Sequence, residues 1–435
     1  MGHNSKSTPL IEKLLFLSFF FGSAGLYMSI SFIGLSHILL FIPILFLVKK
    51  ENLTDLLQSK TAQFLIGFII LGSLSVIFNW NEIKAYESPW KLLFKLKYFI
   101  IALLSVPCFS FYIKSRRQNP KSSLTFLLRF LLIASTLATC SGLIGLYTGF
   151  NPLTFKNACN PTRNCGMSGM LMTYAYSISI FCSILFGWII NFKKNDFISK
   201  KYLIIIFLIN FIGLYFTYSR GALLGFILSI PLCFFWKNKA IFKGGLVLAF
   251  ILTILGGSFL FNKVKNAKTT PKDQYLDTLD NGLYRLKVYP ESELTRLSLV
   301  YAAIHIFKEN PILGVGYRNF SNVAPSYKKK YDLNKISKIS GHAHNNYFEV
   351  LSGMGILGMI AYLGFIFSWI WTCLKGTNIY LKMLLPGLIN FSISGFFQST
   401  LIDGEITFFL MIIFAITIVS QQLEGNKNQE EAVTL

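Results

Sequence analysis

Long apolar runs recur along the whole chain and constrain its fold more than any other feature of the sequence. Only 14% of the residues are charged, whereas soluble domains average about 25%. Because an α-helix needs roughly 20 apolar residues to cross a bilayer, the runs predict an all-α polytopic membrane protein with about 12 transmembrane helices. They exclude an ordinary soluble enzyme, a disordered chain and a small secreted domain held by disulfides. The runs are Leu14–Phe32, Leu35–Val48, Phe64–Phe78, Tyr98–Ile113, Leu124–Tyr147, Leu171–Ile190, Tyr202–Tyr218, Ala222–Trp236, Leu246–Phe261, Tyr347–Thr372, Met383–Phe397 and Ile406–Val419.

The positive charges between these runs predict how the helices are oriented. Lys and Arg concentrate in the cytoplasmic loops of membrane proteins. Placing the N-terminus in the cytoplasm puts most of the short-loop Lys and Arg on that side, and both termini are then cytoplasmic. The net charge of +22 is explained by this topology and by contact with membrane lipids, so we expect no nucleic-acid partner.

One polar segment is too long to be a simple connection between helices. Residues 262–346 contain no run of spanning length and follow the ninth predicted helix on the outer side. Apolar residues at helical spacing precede Asn310-Pro311, which predicts that this outer loop is partly helical. We therefore divide the chain into transmembrane helices 1–9 (residues 1–261), a periplasmic loop or lid (262–346), and transmembrane helices 10–12 with a cytoplasmic tail (347–435).

Two of the seven cysteines lie apart from the apolar runs. Cys159 and Cys165 fall in the outer loop after the fifth run, where an oxidising compartment would let them form a disulfide. The alternative is a pair of free thiols. The other five lie in or beside the apolar runs and are interpreted as small apolar residues.

Three arginines beside apolar runs are candidates for binding an anion, because a charge near lipid is retained only for a reason. Arg220 lies between Ser219 and Gly221, which favour a tight turn suited to a phosphate; its alternative role is an anchor in the headgroups. Arg296 begins an amphipathic stretch, where nearby acids could simply pair with it. Arg318 is a third candidate. The guanidinium fork suits a diphosphate because it donates two parallel hydrogen bonds and does not titrate.

A second group of candidates lies where the outer loop re-enters the membrane. His342 and His344 flank the mouth of a span, and histidine titrates near neutrality, which suits general acid–base catalysis. Asn345 and Glu349 are supporting candidates, although an acid in the first turn of a helix is also favoured by the helix dipole. Two histidines could chelate a metal, but no acid or cysteine lies beside them at ligand spacing, so we expect no metal site.

A glycine pattern inside the tenth run resembles a nucleotide-binding motif. Gly353, Gly355 and Gly358 match GxGxxG, but no strand precedes them and the run is apolar. We interpret them as glycines of close helix–helix packing.

Three separated segments together resemble the O-antigen ligase family, whose superfamily also holds O-antigen polymerases and protein O-oligosaccharyltransferases. The resemblance covers roughly Leu203 to Trp369, and the order of the segments, the twelve spans and the large outer loop agree with the family. The segments are Tyr218-Ser219-Arg220-Gly221, the stretch from Arg296 through Asn310-Pro311-Ile312-Leu313-Gly314-Val315-Gly316, and His344-Asn345-Asn346-Tyr347-Phe348-Glu349 with the three glycines that follow.

The resemblance implies a metal-independent inverting glycosyltransferase without a cofactor, in the inner membrane of a Gram-negative bacterium. Its donor would be a glycan on undecaprenyl diphosphate, and its acceptor a sugar hydroxyl of lipid A-core on the periplasmic face. The family's essential histidine corresponds to His344, and its two diphosphate-binding arginines correspond to Arg220 and Arg296. Arg318 matches the family less securely, and His342 has no secure counterpart.

No residue of the sequence identifies the acceptor, so other functions remain open. An O-antigen polymerase would use another lipid-linked glycan as acceptor, and a protein O-oligosaccharyltransferase would use a protein. A polysaccharide flippase or transporter also fits twelve spans. For a transporter we would expect related halves and broken helices with polar residues at mid-membrane, and the sequence has no such half-to-half relation.

Overall fold

The structure, a computed structural model, is a bundle of α-helices. It describes residues 8–48, 56–115, 120–193, 198–248, 251, 289–335, 337 and 341–433. The helices are α1 (Thr8–Tyr27), α2 (Ile30–Leu47), α3 (Lys60–Phe78), α4 (Trp80–Lys84), α5 (Pro89–Phe94), α6 (Lys97–Ser115), α7 (Pro120–Thr148), α8 (Leu171–Asn191), α9 (Lys200–Tyr215), α10 (Arg220–Ser229), α11 (Tyr289–Glu309), α12 (Phe320–Lys330), α13 (Asn346–Lys375), α14 (Ile379–Ser394) and α15 (Gly404–Val433). A two-residue hairpin pairs β1 (Phe150–Asn151) with β2 (Lys156–Asn157).

The prediction of an all-α polytopic membrane protein is confirmed. Within the described residues, eight helical stretches are long and apolar enough to cross a bilayer. The seventh, eighth and eleventh predicted runs correspond to the shorter helices α9, α10 and α14. Most of the ninth run, Leu246–Phe261, lies outside the described residues. The eight stretches are Pro9–Tyr27, Ile30–Leu47, Lys60–Phe78, Pro89–Ile113, Leu128–Thr148, Leu171–Asn191, Asn346–Lys375 and Gly404–Gln422.

Helix α8 lies at the centre of the bundle, and 89% of its apolar stretch is buried. It packs against α14, where a polar network joins the two helices inside an apolar core. The side-chain amide of Asn390 donates hydrogen bonds to the hydroxyls of Ser179 and Ser183, both at 2.8 Å. Since lipid offers no hydrogen-bond partners, such interhelical bonds hold the two helices in one register.

Helix α13 is broken at Gly355, whose φ of +65° lies in the left-handed region. The turn that follows α11 lies against the break and forms hydrogen bonds with the backbone of α13 there. The amides of Val315 and Gly316 donate to the carbonyls of Ser352 and Gly353 at 3.0 and 2.9 Å. For Gly353 and Gly355 the interpretation as helix–helix packing was therefore wrong, because their close partner is a turn and not a helix. Residues 346–375, all of them described, form no strand or nucleotide loop.

The described part of the outer loop folds into α11 and α12, so the prediction that this loop is partly helical is confirmed. The two helices pack around a small core of their own, separate from the main core of the bundle. Helix α11 ends at Glu309, directly before the predicted stop at Asn310-Pro311. We call α11, α12 and the turn between them (residues 310–319) the lid. Its small core contains Leu299, Ala302, Ala303, Ile306, Val315, Phe320, Ala324, Leu333 and Ala343.

The break in α13 should be the most sensitive backbone position in this region. A Cβ at Gly355 would collide with the Ile312 carbonyl, and the positive φ is itself unfavourable for alanine. We expect Gly355→Ala to destabilise the protein by about 2–4 kcal/mol, measured by thermal unfolding in detergent. Gly67→Ala is the control, because Gly67 lies in α3 with open space around it. An unchanged Tm for Gly355→Ala would contradict the role of the break.

Candidate functional site

The site is built around the short loop that leads from the lid into α13. His344 adopts a positive φ of +49°, which turns the chain sharply before the helix begins. Asn345 then caps α13, because its side-chain oxygen accepts hydrogen bonds from the amides of Tyr347 at 2.9 Å and Phe348 at 3.1 Å. Asn345 therefore has a structural role that the sequence did not assign to it.

The His344 ring is held by a residue that the sequence analysis missed. Its Nδ1 lies 2.8 Å from Oε1 of Gln398, in the connection between α14 and α15. Since an amide oxygen can only accept, Nδ1 carries the proton and the lone pair is on Nε2. His344 is thus oriented as a neutral base with one defined basic nitrogen.

The connection that carries Gln398 is itself fastened to the start of α13. The amide of Asn345 donates to Oγ of Ser399 at 3.0 Å. Asn346, which is fully buried, donates from its amide to the carbonyl of Gly395 at 2.7 Å and from its side chain to Thr400 at 2.8 Å. These bonds determine the position of Gln398 relative to His344.

His342 lies beside His344, with 4.0 Å between the ring centroids. Its Nδ1 accepts a hydrogen bond from the His344 amide at 3.2 Å. Burial, reinforced by the positive charges of Arg296 and Arg318, lowers the pKa of His342 to about 4. A group with that pKa is neutral near pH 7, so His342 supports the loop without adding charge to the site.

The pKa of His344 is also lowered, and burial is the largest cause. The charge of Arg296 acts in the same direction, while the hydrogen bond with Gln398 opposes it. His344 therefore stays unprotonated to a lower pH than an exposed histidine, which is the state a general base requires.

Glu349 faces the loop from the first turn of α13. It is only 5% exposed, and its Oε2 accepts a hydrogen bond from the amide of Ala343 at 2.8 Å. This contact holds the segment between the two histidines against the helix. Glu349 is therefore placed to support the loop.

Arg296 and Arg220 approach the site from two different elements. Arg296 projects from α11 and lies within electrostatic range of both histidines and of Tyr176 in α8. Arg220 begins α10 and is exposed. A Cβ on the neighbouring Gly221 would collide with the hydroxyl of Tyr176 and lie 2.8 Å from Phe397, the residue before Gln398. The buried Tyr176 thus lies between Arg296 and the segment that carries Arg220.

Arg318 lies in the turn that precedes α12. It has a φ of +60°, and its guanidinium donates a hydrogen bond to the carbonyl of Ile402. It is within electrostatic range of His342, of Glu349 and of Lys95, which follows α5. Lys95 is a second basic residue that the sequence analysis did not select.

Cys159 and Cys165 form a disulfide in the structure. The loop between them lies against the corner that precedes α10. Nε of Arg163 donates to the carbonyl of Thr217 at 2.7 Å, and the Asn164 amide donates to that of Phe216 at 2.9 Å. The disulfide loop therefore braces the segment that carries Arg220.

The sequence analysis did not identify Gln398, Tyr176 and Lys95, because each is distant in sequence from the motifs near which it lies. Of these, only Gln398 could have been identified from the sequence, because Gln398-Ser399-Thr400 is a polar interruption between two apolar runs. Tyr176 and Lys95 lie in segments whose composition is ordinary for a membrane protein. Within the described ranges, no three His, Cys, Asp or Glu side chains are grouped as metal ligands.

The arrangement of the arginines can be tested without a substrate by titrating the histidines that lie near them. The chain contains five histidines. Arg296→Gln should raise the pKa of both His342 and His344, since it removes a positive charge near both rings. Arg318→Gln should raise the pKa of His342 and leave that of His344 unchanged. Histidine NMR titrations in detergent measure both values. Equal shifts of both histidines in Arg318→Gln would contradict this arrangement.

Comparison with known proteins supports the resemblance found in the sequence. A family model described as O-Antigen ligase matches residues 204–363, a range that contains all three candidate arginines and both histidines. No curated protein matches the chain. The matched range ends before Gln398 and begins after Lys95 and Tyr176. Residues 204–363 of the chain are thus similar to the superfamily of O-antigen ligases and O-antigen polymerases.

Proposed function

We propose that this protein is an O-antigen ligase of lipopolysaccharide biosynthesis. It would transfer a glycan from undecaprenyl diphosphate to a sugar hydroxyl of lipid A-core. The observation that carries the proposal is the hydrogen bond between His344 and Gln398 beside Arg296, because it presents one neutral basic nitrogen next to a permanent positive charge. The family match supports a glycosyltransferase-like enzyme of this superfamily.

In the proposed reaction, Nε2 of His344 accepts the proton of the acceptor hydroxyl. The hydroxyl oxygen forms a bond to the anomeric carbon of the glycan, and the bond from that carbon to the lipid diphosphate breaks. The bonding electrons leave with the diphosphate, and direct displacement inverts the anomeric centre. A positioned base of this kind contributes about 10²–10⁴-fold to a rate.

Arg296 and Arg220 would bind the diphosphate and stabilise the charge that develops on it. A hydrogen bond to a charged group contributes about 1.5–3 kcal/mol. The effect is larger where water is excluded, and the buried Tyr176, within electrostatic range of Arg296, provides such a surface. These residues supply the base and the charge stabilisation, so the proposal requires no metal ion or other cofactor.

The charge distribution supports a periplasmic site and cytoplasmic termini. An anionic lipid-linked donor would then reach the site from the outer leaflet. The nearest alternative is an O-antigen polymerase, which would use the same residues and a lipid-linked glycan as acceptor. A transporter is less well supported: α13 is broken, as in many transporters, but the turn that precedes α12 fills the break.

Removing the base should abolish transfer while leaving the fold intact. We expect His344→Gln to lower kcat by about 10²–10⁴-fold. The assay mixes purified protein in detergent with undecaprenyl-diphosphate-linked glycan and lipid A-core, and it follows covalent product.

The control for this variant is His305→Gln, because the ring of His305 in α11 stacks on Tyr331, the residue after α12. It should keep full activity. Full transfer by His344→Gln at normal protein levels would disprove the proposed base. Laddered glycan on the donor lipid, with lipid A-core unmodified, would indicate a polymerase.

Gln398 is a positioning residue, so its variants should change the pH profile as well as the rate. We expect Gln398→Ala to lower kcat about ten-fold with little change in KM, because the His344 ring loses its orientation. Gln398→Glu places an acid beside the ring and should raise the pKa of His344.

The sign of the pH effect follows from the need for a neutral base. Activity is lost as the pH falls through the pKa of His344, so Gln398→Glu should move the acid limb of kcat/KM to higher pH. The wild-type limb should lie below pH 6.5, because burial lowers the pKa of His344 from that value. An acid limb that is identical in wild type and Gln398→Glu would contradict this role.

A further inference from the structure

A cavity of about 790 Å³ lies at the end of α13 that is remote from the histidine loop. Its walls come from the last turns of α13, the start of α3, and residues of α14 and α15. Helix α13 begins two residues after His344 and ends at Lys375. A helix of that length extends up to about 45 Å, so the cavity is separate from the proposed transfer site.

The start of α3 and the end of α13 are held together at this cavity. Oγ1 of Thr61 lies 3.3 Å from Oγ1 of Thr372. Lys60 directly precedes Thr61, and Lys375 follows Thr372 by three residues, on the same face of α13. Both lysines line the cavity. A direct contact between the two helices thus brings two positive charges to one opening.

The two lysines of the cavity have no acidic partner. Neither Lys60 nor Lys375 forms an ion pair within the part of the chain that the structure describes. Of the described residues that line the cavity, Glu424 is the one acid. Its carboxylate accepts hydrogen bonds from the Thr377 hydroxyl at 2.9 Å and from the Asn378 amide. Glu424 is therefore bound to the connection between α13 and α14.

Ser59 precedes α3 without capping it. Its side chain makes no hydrogen bond to the first turn, and its buried hydroxyl oxygen has no hydrogen-bond partner among the described residues. Ser59 also lines the cavity. The first amides of a helix lack intrahelical acceptors and carry partial positive charge. The hydroxyl and these amides, beside Lys60, therefore lack an acceptor that a phosphate oxygen would supply.

The outer wall of the cavity is aromatic. Phe367 and Trp371, one turn apart on α13, line it and are 64% and 58% exposed. Nζ of Lys375 lies 4.8 Å from the centroid of the Trp371 ring. Ile360, two turns earlier on the same face, is also exposed. Trp and Lys at the end of a spanning helix are typical of the membrane–water interface, and the apolar face leads from there along the surface that lipid would contact.

We propose that this cavity binds one anionic phospholipid of the cytoplasmic leaflet. Its phosphate lies between Lys60 and Lys375 and accepts a hydrogen bond from Ser59, and its acyl chains follow Phe367 and Trp371. In the predicted topology this end of α13 faces the cytoplasm, where basic pockets between helices bind anionic headgroups. The inference goes beyond the proposed function, because the ligand is a second lipid at the opposite end of α13.

Lipid binding tests the inference without requiring glycan transfer. The full-length protein in detergent is titrated with phosphatidylglycerol and, separately, with phosphatidylcholine, at about 0.15 M salt to screen distant charges. Native mass spectrometry counts the bound lipids and gives the Kd. We expect one tightly bound phosphatidylglycerol. Lys60→Gln and Lys375→Gln should each raise its Kd about five-fold, and Lys60→Arg should restore tight binding.

Lys200→Gln is the matched control for Lys60→Gln. Lys200 begins α9 as Lys60 begins α3, in each case after a serine that forms no side-chain cap. Lys200 is exposed and does not line the cavity, so its variant should bind the lipid normally.

Ser59→Ala separates lipid binding from stability. It should raise the Kd for phosphatidylglycerol about ten-fold, because a hydrogen bond to a charged group is lost. The Tm of the lipid-free protein should not fall, since the hydroxyl has no partner among the described residues.

The inference is overturned if phosphatidylcholine binds as tightly as phosphatidylglycerol, or if Lys60→Gln and Lys375→Gln leave the Kd unchanged. A loss of affinity in Lys200→Gln equal to that in Lys60→Gln would also overturn it, because the attraction would then be general to the surface. The same holds if inorganic phosphate raises the Tm as much as phosphatidylglycerol does, since the site would then bind a soluble anion.

Discussion

Asn346 is the residue on which the arrangement of the site depends. It lies where two stretches of irregular backbone meet inside a membrane protein, the loop before α13 and the connection between α14 and α15. Irregular backbone at such a depth is tolerated only when protein groups satisfy its amides and carbonyls. Asn346 does this with its backbone amide and both ends of its side chain, which bond to Gly395, Thr400 and Leu401. The geometry between His344 and Gln398 follows from those bonds.

The helical architecture was predictable because apolar runs and helix stops are local features of the sequence. The stop of α11 at Glu309 and the membrane character of most runs required no knowledge of tertiary contacts. Gly355 was harder, since a glycine inside an apolar run is compatible with helix packing as well as with a break. Its left-handed backbone follows from the turn packed against it, and that contact is not encoded nearby in the sequence.

The candidate site was predictable only where chemistry-bearing residues stand beside recognisable motifs. His344, Arg220 and Arg296 have such motifs. Gln398 meets His344 from 54 residues away. Tyr176 and Lys95 come from the N-terminal part of the chain, before the range that matches the family. The motif-bearing segments therefore form only part of the site. Packing adds the remaining side chains from segments in which the sequence alone reveals only hydrophobicity.

The turn packed into the break of α13 also has a mechanical consequence for the lid. That turn anchors the C-terminal end of α11 to the bundle, so any tilt of α11 has its pivot near Asn310. Arg296 lies about 21 Å along the helix from that pivot. A tilt of about 5° therefore displaces Arg296 by about 2 Å, enough to change a catalytic contact. A tilt of the lid would therefore move a charge that lies within electrostatic range of His344, the proposed base.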